Sequence, residues 1–283
     1  MVIDEASQQT EPQSLVPLAK GCSKAVLVGD HVQLRATVIQ HAKLVDFEVS
    51  LFERLYSSPD NNRFLRKVML DTQYRMQTSI CAFSSAEFYE GRLKTAVQDS
   101  QRPLNPPSFP WPCEQNGKLT RMFFLQCSAT EDLGRKSKSN HEQAALTKTI
   151  CKMLRPQPND IDPSTAPSVA VLAPYSRQVE MLMDLRTSGI TVNSIDGFQG
   201  READIVVFAT TRCNTHAEIG FLKDMRRLNV VLTRARCACI IIGDRATLTG
   251  GDPSDEATRI WKRLLDSLIP LTLERQRTPL HAI

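Results

Sequence analysis

The sequence predicts an α/β fold built on a doubly wound parallel sheet. Short apolar runs rich in Val and Ile, bounded by Gly, Asp or Pro, recur along the chain, and amphipathic stretches separate them. Strands that alternate with helices favour a mainly parallel sheet with helices on both faces. The predicted strands are Met1–Ile3, Ala25–Val28, Val68–Leu70, Met122–Leu125, Val169–Leu172, Thr191–Ile195, Ile205–Ala209 and Cys239–Ile242.

Helices are predicted in the amphipathic stretches between these strands, at 48–57, 77–89, 140–154, 175–187, 224–235 and 255–268. Polar or proline-rich segments connect several of the elements, at 58–66, 101–117, 128–140 and 156–167. The patch at 58–66 is the predicted boundary between two domains.

Composition excludes several classes of protein. A chain of 283 residues with 41% hydrophobic and 23% charged residues is typical of a globular protein and excludes a disordered or fibrous one. The net charge of +4 excludes a histone-like polycation but permits a local basic surface, and residues 212–245 contain seven Lys or Arg against three Asp or Glu.

The chain is expected to be intracellular and to have no membrane partner. Its apolar runs are far shorter than the roughly 20 residues of a membrane helix, and its start lacks the pattern of a secretory signal. Eight cysteines without C-x-x-C spacing favour reduced, buried thiols over a zinc site.

Two predicted strands end in polar residues suited to phosphate chemistry. Asp4 and Glu5 follow the first strand, and Gly29, Asp30 and Gln33 follow the second. Ligands bind at the carboxyl edge of such sheets, where an Asp can hold Mg²⁺ and a Glu can orient water. A Gln amide can donate to a phosphate oxygen. Taken singly, the first pattern is more typical of a solvated strand end, and the alternative for the second is an ordinary strand-end turn.

Two further segments have chemistry suited to a nucleotide. Arg75, in Gln73–Met76, offers a planar charged fork that matches phosphate. In Ser194–Glu202, Gly197 and Gly200 allow close backbone approach and Glu202 can accept hydrogen bonds from a ribose. A metal site at Asp196 and Glu202 is the weaker alternative, because no His or Cys accompanies them.

A fifth segment, Arg226–Arg236, places cations along a predicted helix. Arg227 and Arg234 fall at the two ends of an apolar stripe that contains Val230 and Val231. The plainer alternative for these arginines is a solvated helix face.

Together and in this order, the five segments resemble the helicase motifs of superfamily 1. Asp4–Ser7 resembles the Walker B box, and the others are similar to motifs III, IV, V and VI, namely Gly29–Leu34, Gln73–Met76, Asp196–Glu202 and Arg226–Arg236. Ser50–Leu55, Phe88–Leu93 and Ile219–Leu222 are similar to segments of the up-frameshift-like branch, which contains the nonsense-mediated-decay helicase. A near likeness is to the helicases that carry NFX1-type zinc fingers.

The resemblance covers residues 1–268 and implies a RecA-like (P-loop NTPase) fold. Residues 1–70 would be the back half of a first RecA-like domain, 71–268 a complete second one, and 269–283 a tail. The implied function is ATP hydrolysis coupled to translocation on single-stranded RNA or DNA, and the motifs do not distinguish the two.

The resemblance also implies roles for individual residues. Asp4 would bind Mg²⁺ through water, Glu5 would act on the hydrolytic water and Gln33 would contact the γ-phosphate. Arg75 and Arg234 would be arginine fingers, each contributing about 10³–10⁵ in rate. Glu202 would bind the ribose, with Gly200 allowing the loop to approach the nucleotide.

For nucleic acid, the resemblance places Tyr175 near the strand path, with Arg177 and Ser194 as weaker candidates. A packing residue at a helix start is the alternative for Tyr175. Aromatic stacking and basic groups are the usual means of holding a single strand.

One element of the family pattern is absent from the sequence. No G-x-x-x-x-G-K-[ST] box occurs, and the single Gly-Lys pair, Gly117-Lys118, lacks its context. ATP and Mg²⁺ would therefore need a preceding N-terminal half, and we expect the chain alone neither to bind ATP tightly nor to hydrolyse it. The alternative is a non-catalytic module, without a P-loop, that binds nucleic acid or another partner.

Overall fold

The computed structural model describes residues 1–59, 65–114, 117–134, 137–156 and 166–271. The chain divides into two compact units, Met1–Asp71 and Thr72–Ile283. Most of the predicted boundary patch at 58–66, the linker at 156–167 and the tail at 269–283 lie outside the described residues.

The first unit is built around a two-stranded parallel sheet. Strand β1 (Val2–Ile3) pairs with β2 (Val26–Leu27). In the described part of this unit, the α-helices that accompany it are α1 (Glu11–Leu18), α2 (Gln40–Lys43) and α3 (Leu51–Tyr56). A capping box between Thr10 and Gln13 starts α1, and the Ser50 hydroxyl accepts from the Glu53 amide to start α3.

The prediction of a strand at Val68–Leu70 is wrong. These residues are irregular, and Val68 and Leu70 are 68% and 81% exposed. A short apolar run becomes a strand only when a neighbouring strand completes its hydrogen bonds, and none pairs with this run in the described structure.

The second unit contains a six-stranded parallel sheet in the order β10-β5-β9-β8-β6-β7. Its strands are β5 (Met122–Gln126), β6 (Val169–Ala173), β7 (Thr191–Ser194), β8 (Ala203–Ala209), β9 (Ala235–Gly243) and β10 (Ile269–Leu271). A separate parallel pair is formed by β3 (Thr72–Gln73) and β4 (Lys94–Thr95). The predicted α/β fold with a parallel sheet is confirmed.

The second unit's helices follow the predicted stretches closely. They are α4 (Thr78–Phe88), α5 (His141–Met153), α6 (Ser176–Leu182), α7 (Met225–Thr233), α8 (Arg245–Thr249) and α9 (Glu256–Ser267). The short α8 was not predicted. Strand β10 corrects the assignment of Ile269–Leu271 to the tail, because this segment pairs with β5 at the sheet edge.

The core of the second unit lies on both faces of the sheet. Alternate strand residues, among them Phe123 and Val207, form a buried cluster with Ile150 of α5 and Leu182 of α6. On β9, Ile240 and Ile242 belong to this cluster, and Ile241 between them points to the opposite face of the sheet. Ile241 is also fully buried, so that face is covered too. Helices α4 and α7 contact each other and β9. Within the described residues, the helices are all too short or too polar to span a membrane.

Candidate functional site

The predicted Walker B residues lie where β1 ends. Asp4 and Glu5 are exposed, and the Asp4 Oδ1 accepts a hydrogen bond from the Glu5 amide at 2.9 Å. Glu5 has a φ of 48°, in the left-handed region that is uncommon for residues with a side chain. This conformation turns the chain, so that the Ala6 amide bonds the Val28 carbonyl at 2.8 Å.

The predicted motif III segment lies beside it at the end of β2. The Asp30 backbone amide donates to the Ser7 hydroxyl at 3.1 Å, and the Gln33 side-chain amide donates to the Asp30 carboxylate at 2.6 Å. A Cβ on Gly29 would lie 2.8 Å from the Ser7 nitrogen, so this close approach requires glycine. The first unit thus brings Asp4, Glu5 and Gln33 to one edge of its sheet.

The residues at this edge fit a magnesium ion held mainly by water. Asp4 offers one exposed carboxylate, the hard oxygen ligand that Mg²⁺ prefers, and the ion keeps several waters when so bound. Among the described residues there is no cluster of three or more His, Cys, Asp or Glu that could hold a metal. An all-protein metal cage is therefore not what this edge provides.

In the second unit, Arg75 is fixed between two elements. Its Nε donates to the Glu202 carboxylate at 2.6 Å, and its Nη1 donates to the Thr233 carbonyl at the end of α7 at 3.0 Å. The Gln73 side chain accepts from the amides of Arg75 and Met76 and so shapes the turn after β3.

Arg234 lies directly after α7 and is nearly fully buried. Its guanidinium donates to the carbonyls of Val230 and Arg201, at 3.3 and 3.4 Å. Gly200, with a φ of +75°, and Glu202 precede β8 in the same region. The structure thus gathers Arg75, Gly200, Glu202 and Arg234 at the amino edge of β8 and β9.

Two residues of this amino-edge cluster were missed by the sequence analysis. Arg102 donates to the carbonyls of Tyr74 and Arg75 at 2.9 and 2.8 Å, and so holds the backbone around Arg75. Arg236 lies 3.8 Å from Glu202 and 3.6 Å from Asp204. Arg102 comes from the proline-rich stretch at 101–117, whose sequence carries no sign of this contact.

The candidates for nucleic-acid contact lie at the opposite, carboxyl edge of the sheet. Tyr175 follows β6, but its exposed fraction is only 5%. Its hydroxyl accepts from Arg212 at 3.2 Å and from the Phe221 amide at 3.4 Å. Arg177 is half-buried and pairs with Asp132 at 2.9 Å, and the Ser194 hydroxyl accepts from the Gly197 amide at 3.1 Å.

Behind Tyr175 lies a buried ion pair that sequence reasoning also missed. Arg212 and Glu131 have side chains 2% and 1% exposed, and the Arg212 Nε lies 2.8 and 3.0 Å from the two carboxylate oxygens. The Cys213 amide donates to the same carboxylate at 2.7 Å. Burial acts to lower the pKa of Arg212, but Glu131 and Tyr175 outweigh it and raise that pKa.

Asp196 also forms an ion pair with an arginine. Arg227 donates two parallel hydrogen bonds to it, both at 3.0 Å, and Glu202 is paired with Arg75 as described. The alternative of a metal site at Asp196 and Glu202 therefore receives no support from the contacts of either carboxylate.

Comparison with protein families finds two adjacent matches. An AAA domain model matches residues 47–246, and a second AAA domain model matches residues 1–41. The structural neighbours include a complex of arterivirus nonstructural protein 10 (helicase) with DNA. It is 15% identical, covers 93% of this chain and 41% of its own, and has a TM-score of 0.40.

Curated relatives match most of the chain. A regulator of nonsense transcripts 1 homolog from Arabidopsis thaliana is 35% identical over 88% of this chain and 20% of its own length. The ATP-dependent helicase NAM7 from Saccharomyces cerevisiae is 32% identical over 94% of this chain and 26% of its own. The chain thus spans about a fifth to a quarter of the length of these relatives.

Proposed function

Because the chain belongs to the AAA domain family and its relatives confirm the resemblance to up-frameshift-like superfamily 1 helicases, we propose that it forms part of an ATP-dependent helicase. In this function, ATP hydrolysis is coupled to movement along single-stranded RNA or DNA. The observation that carries the proposal is the amino-edge cluster, in which Arg75, Glu202 and Arg234 come together from three distant segments.

The first unit would supply the acid–base and sensing groups. Glu5, exposed at the end of β1, would orient the attacking water and accept its proton. The side-chain amide of Gln33, which now donates to Asp30, would instead donate a hydrogen bond to the γ-phosphate. Mg²⁺, held through water by Asp4, would neutralise charge on the phosphate oxygens.

The second unit would supply the cations. Phosphoryl transfer is accelerated mainly by fixed positive charge placed where negative charge develops, and Arg75 and Arg234 are rigidly held arginines suited to that task. Glu202 would accept hydrogen bonds from the ribose hydroxyls, and Arg102 would keep Arg75 in register by bonding its carbonyl.

The relatives do not favour the alternative of a non-catalytic module. NAM7 and ECM32 of Saccharomyces cerevisiae are both named as ATP-dependent helicases, the second as putative. Their names support an enzyme, and the retained Glu5, Gln33, Arg75 and Arg234 are the residues that an enzyme of this class would use.

Two measurements test the proposal. The purified chain should bind single-stranded oligonucleotides, with log affinity falling against log salt at a slope near −0.7 per phosphate contacted. A chimera in which the P-loop segment of a relative precedes residue 1 should hydrolyse ATP, and Arg75→Ala or Arg234→Ala should lower its kcat by about 10³–10⁵.

Arg92→Ala is the matched control, because Arg92 is an exposed arginine whose ion-pair partner among the described residues is the exposed Glu90. Its turnover should equal that of the parent chimera. An active chimera that keeps full turnover without Arg75 and without Arg234 would contradict the assigned roles.

A further inference from the structure

Phe221 is a large apolar residue that the fold holds at the surface. It is 54% exposed and lies between the end of β8 and the start of α7, beside Tyr175 and Arg212, which follow the carboxyl ends of β6 and β8. Its ring lies 5.1 Å from the ring of Tyr175, and the guanidinium of Arg227 lies 5.4 Å from its centroid. We call these three side chains the Phe221 platform.

The backbone beneath the platform is fixed. Gly220 has a φ of +55°, and a Cβ there would lie 2.3 Å from Arg212 Nη1 and 2.5 Å from the Tyr175 hydroxyl. On the other side of Phe221, Leu222 is buried and its carbonyl accepts from Trp261 Nε1 at 3.1 Å. The neighbours of Phe221 on both sides are therefore anchored, while about half of Phe221 itself is exposed to solvent.

The segment that carries the ring is rich in cations. Residues 221–227 contain Lys223, Arg226 and Arg227 against Asp224; in the fold, Lys223 also pairs with Asp255 at 3.5 Å and Arg227 with Asp196 at 3.0 Å. Arg227 is held in position by its paired bonds to Asp196. An exposed aromatic ring within a basic segment is the combination by which proteins hold single strands without reading their sequence.

We propose that Phe221 stacks on a base of a single-stranded nucleic acid, and that Tyr175 supports it from below without touching the ligand. The inference rests on the proposed function and names one contact within it. It reassigns the role that the sequence suggested for Tyr175, whose hydroxyl and ring are already engaged inside the protein. The platform lies at the carboxyl edge of the second unit's sheet, because Tyr175 follows β6 and the segment that carries Phe221 follows β8.

A tryptophan at position 221 would report the contact directly. The two native tryptophans, Trp111 and Trp261, are buried, so their emission should change little on binding. In Phe221→Trp, titration with a 12-nucleotide oligo(dT) or oligo(U) should quench the new, exposed indole. An indole whose emission stays constant while the oligonucleotide binds would overturn the proposal.

Removal of the ring should weaken binding without altering its electrostatics. Phe221→Ala should raise the Kd for the same oligonucleotides by about 5- to 150-fold, the range for loss of one base–aromatic stack. Phe221→Leu, which keeps an apolar side chain but has no π-face, should show most of this loss. The slope of log affinity against log salt should stay the same, because no phosphate contact is removed.

Phe47→Ala, which truncates an exposed phenylalanine of the first unit, is the matched control and should bind like the unmodified chain. Unchanged affinity in Phe221→Ala, or in Phe221→Leu, would overturn the stacking role alone. A reduced salt slope in Phe221→Ala would also overturn it, since it would indicate displaced cations. Failure of the unmodified chain to bind either oligonucleotide would overturn the proposed function and this inference with it.

Discussion

Glu131→Ala should be among the most destabilising single changes available in the second unit. The change removes the carboxylate that pairs with Arg212. Both side chains of this pair are almost completely buried. Breaking a buried pair by deleting one partner costs about 3–5 kcal/mol, because the remaining charge stays buried without its main counterion. The other carboxylate near Arg212, that of Glu218, is 74% exposed and lies 3.9 Å away. The variant also removes the acceptor of the Cys213 amide, which acts in the same direction.

Urea unfolding followed by tryptophan emission isolates this effect. Both tryptophans, Trp111 and Trp261, belong to the second unit, so the signal reports that unit. With m near 3 kcal/mol/M, a loss of about 3–5 kcal/mol lowers the midpoint by about 1–1.7 M. Asp184→Ala is the control, because it breaks the exposed pair with Lys148 and should cost about 1 kcal/mol or less.

The double variant Glu131→Leu/Arg212→Met decides whether the uncompensated charge is the cause. Replacing both partners by apolar side chains leaves no buried charge, so the double variant should be more stable than Glu131→Ala. A Glu131→Ala protein within 1 kcal/mol of the unmodified chain would refute the reasoning, as would a double variant with the summed loss of the two single changes.

Three further predictions concern Asp244, Gly220 and Cys239 of the second unit. Burial acts to raise the pKa of Asp244, but hydrogen bonds from its neighbours, Thr247 first, outweigh it and lower that pKa. Asp244→Ala should therefore cost about 0.5–2 kcal/mol at pH 7, as loss of the α8 N-cap, and the difference should shrink in unfolding curves below the unfolded-state pKa of about 3.9. Gly220→Ala should lower the free energy of unfolding by more than about 1 kcal/mol in urea, because of its positive φ and the short Cβ contacts to Arg212 and Tyr175; a neutral result would contradict the described packing of Gly220. Burial raises the pKa of the Cys239 thiol to about 12, so iodoacetamide at pH 8 should label exposed Cys22 and Cys113 in the native chain and Cys239 only after denaturation, as mass spectrometry would show.

The sequence was most informative where a pattern is local. Strands buried on both faces appear as apolar runs, so β5, β6 and β9 could be located, and the amphipathic period located α5 to within a residue at each end. The run at Val68–Leu70 failed because pairing with a distant strand, not composition, makes a strand. Arg234 was placed on the predicted helix, whereas α7 ends at Thr233 and Arg234 follows it.

Contacts between distant segments could not be predicted. Arg75 and Glu202 could each be selected from motifs, but their pairing joins residues 127 positions apart. The sequence suggested Tyr175 as a contact for nucleic acid, but its side chain is buried. Its hydroxyl bonds Arg212 and the Phe221 amide, which come from other parts of the chain. Such information lies in tertiary packing and has no local signature.

Helix α7 connects the two edges that the proposals use. Arg227 in its first turn contacts Phe221, and the Thr233 carbonyl at its end accepts from Arg75. Nine residues at 1.5 Å each span about 13 Å, and Val230 and Val231 are fully buried between the ends, so the helix should shift as one body. Binding of oligo(dT) should therefore slow hydrogen exchange at the amides of Arg227 and Arg234 together, in the unmodified chain and not in Phe221→Ala. Protection confined to residues 221–227 would show that the strand and nucleotide edges are not connected through this helix.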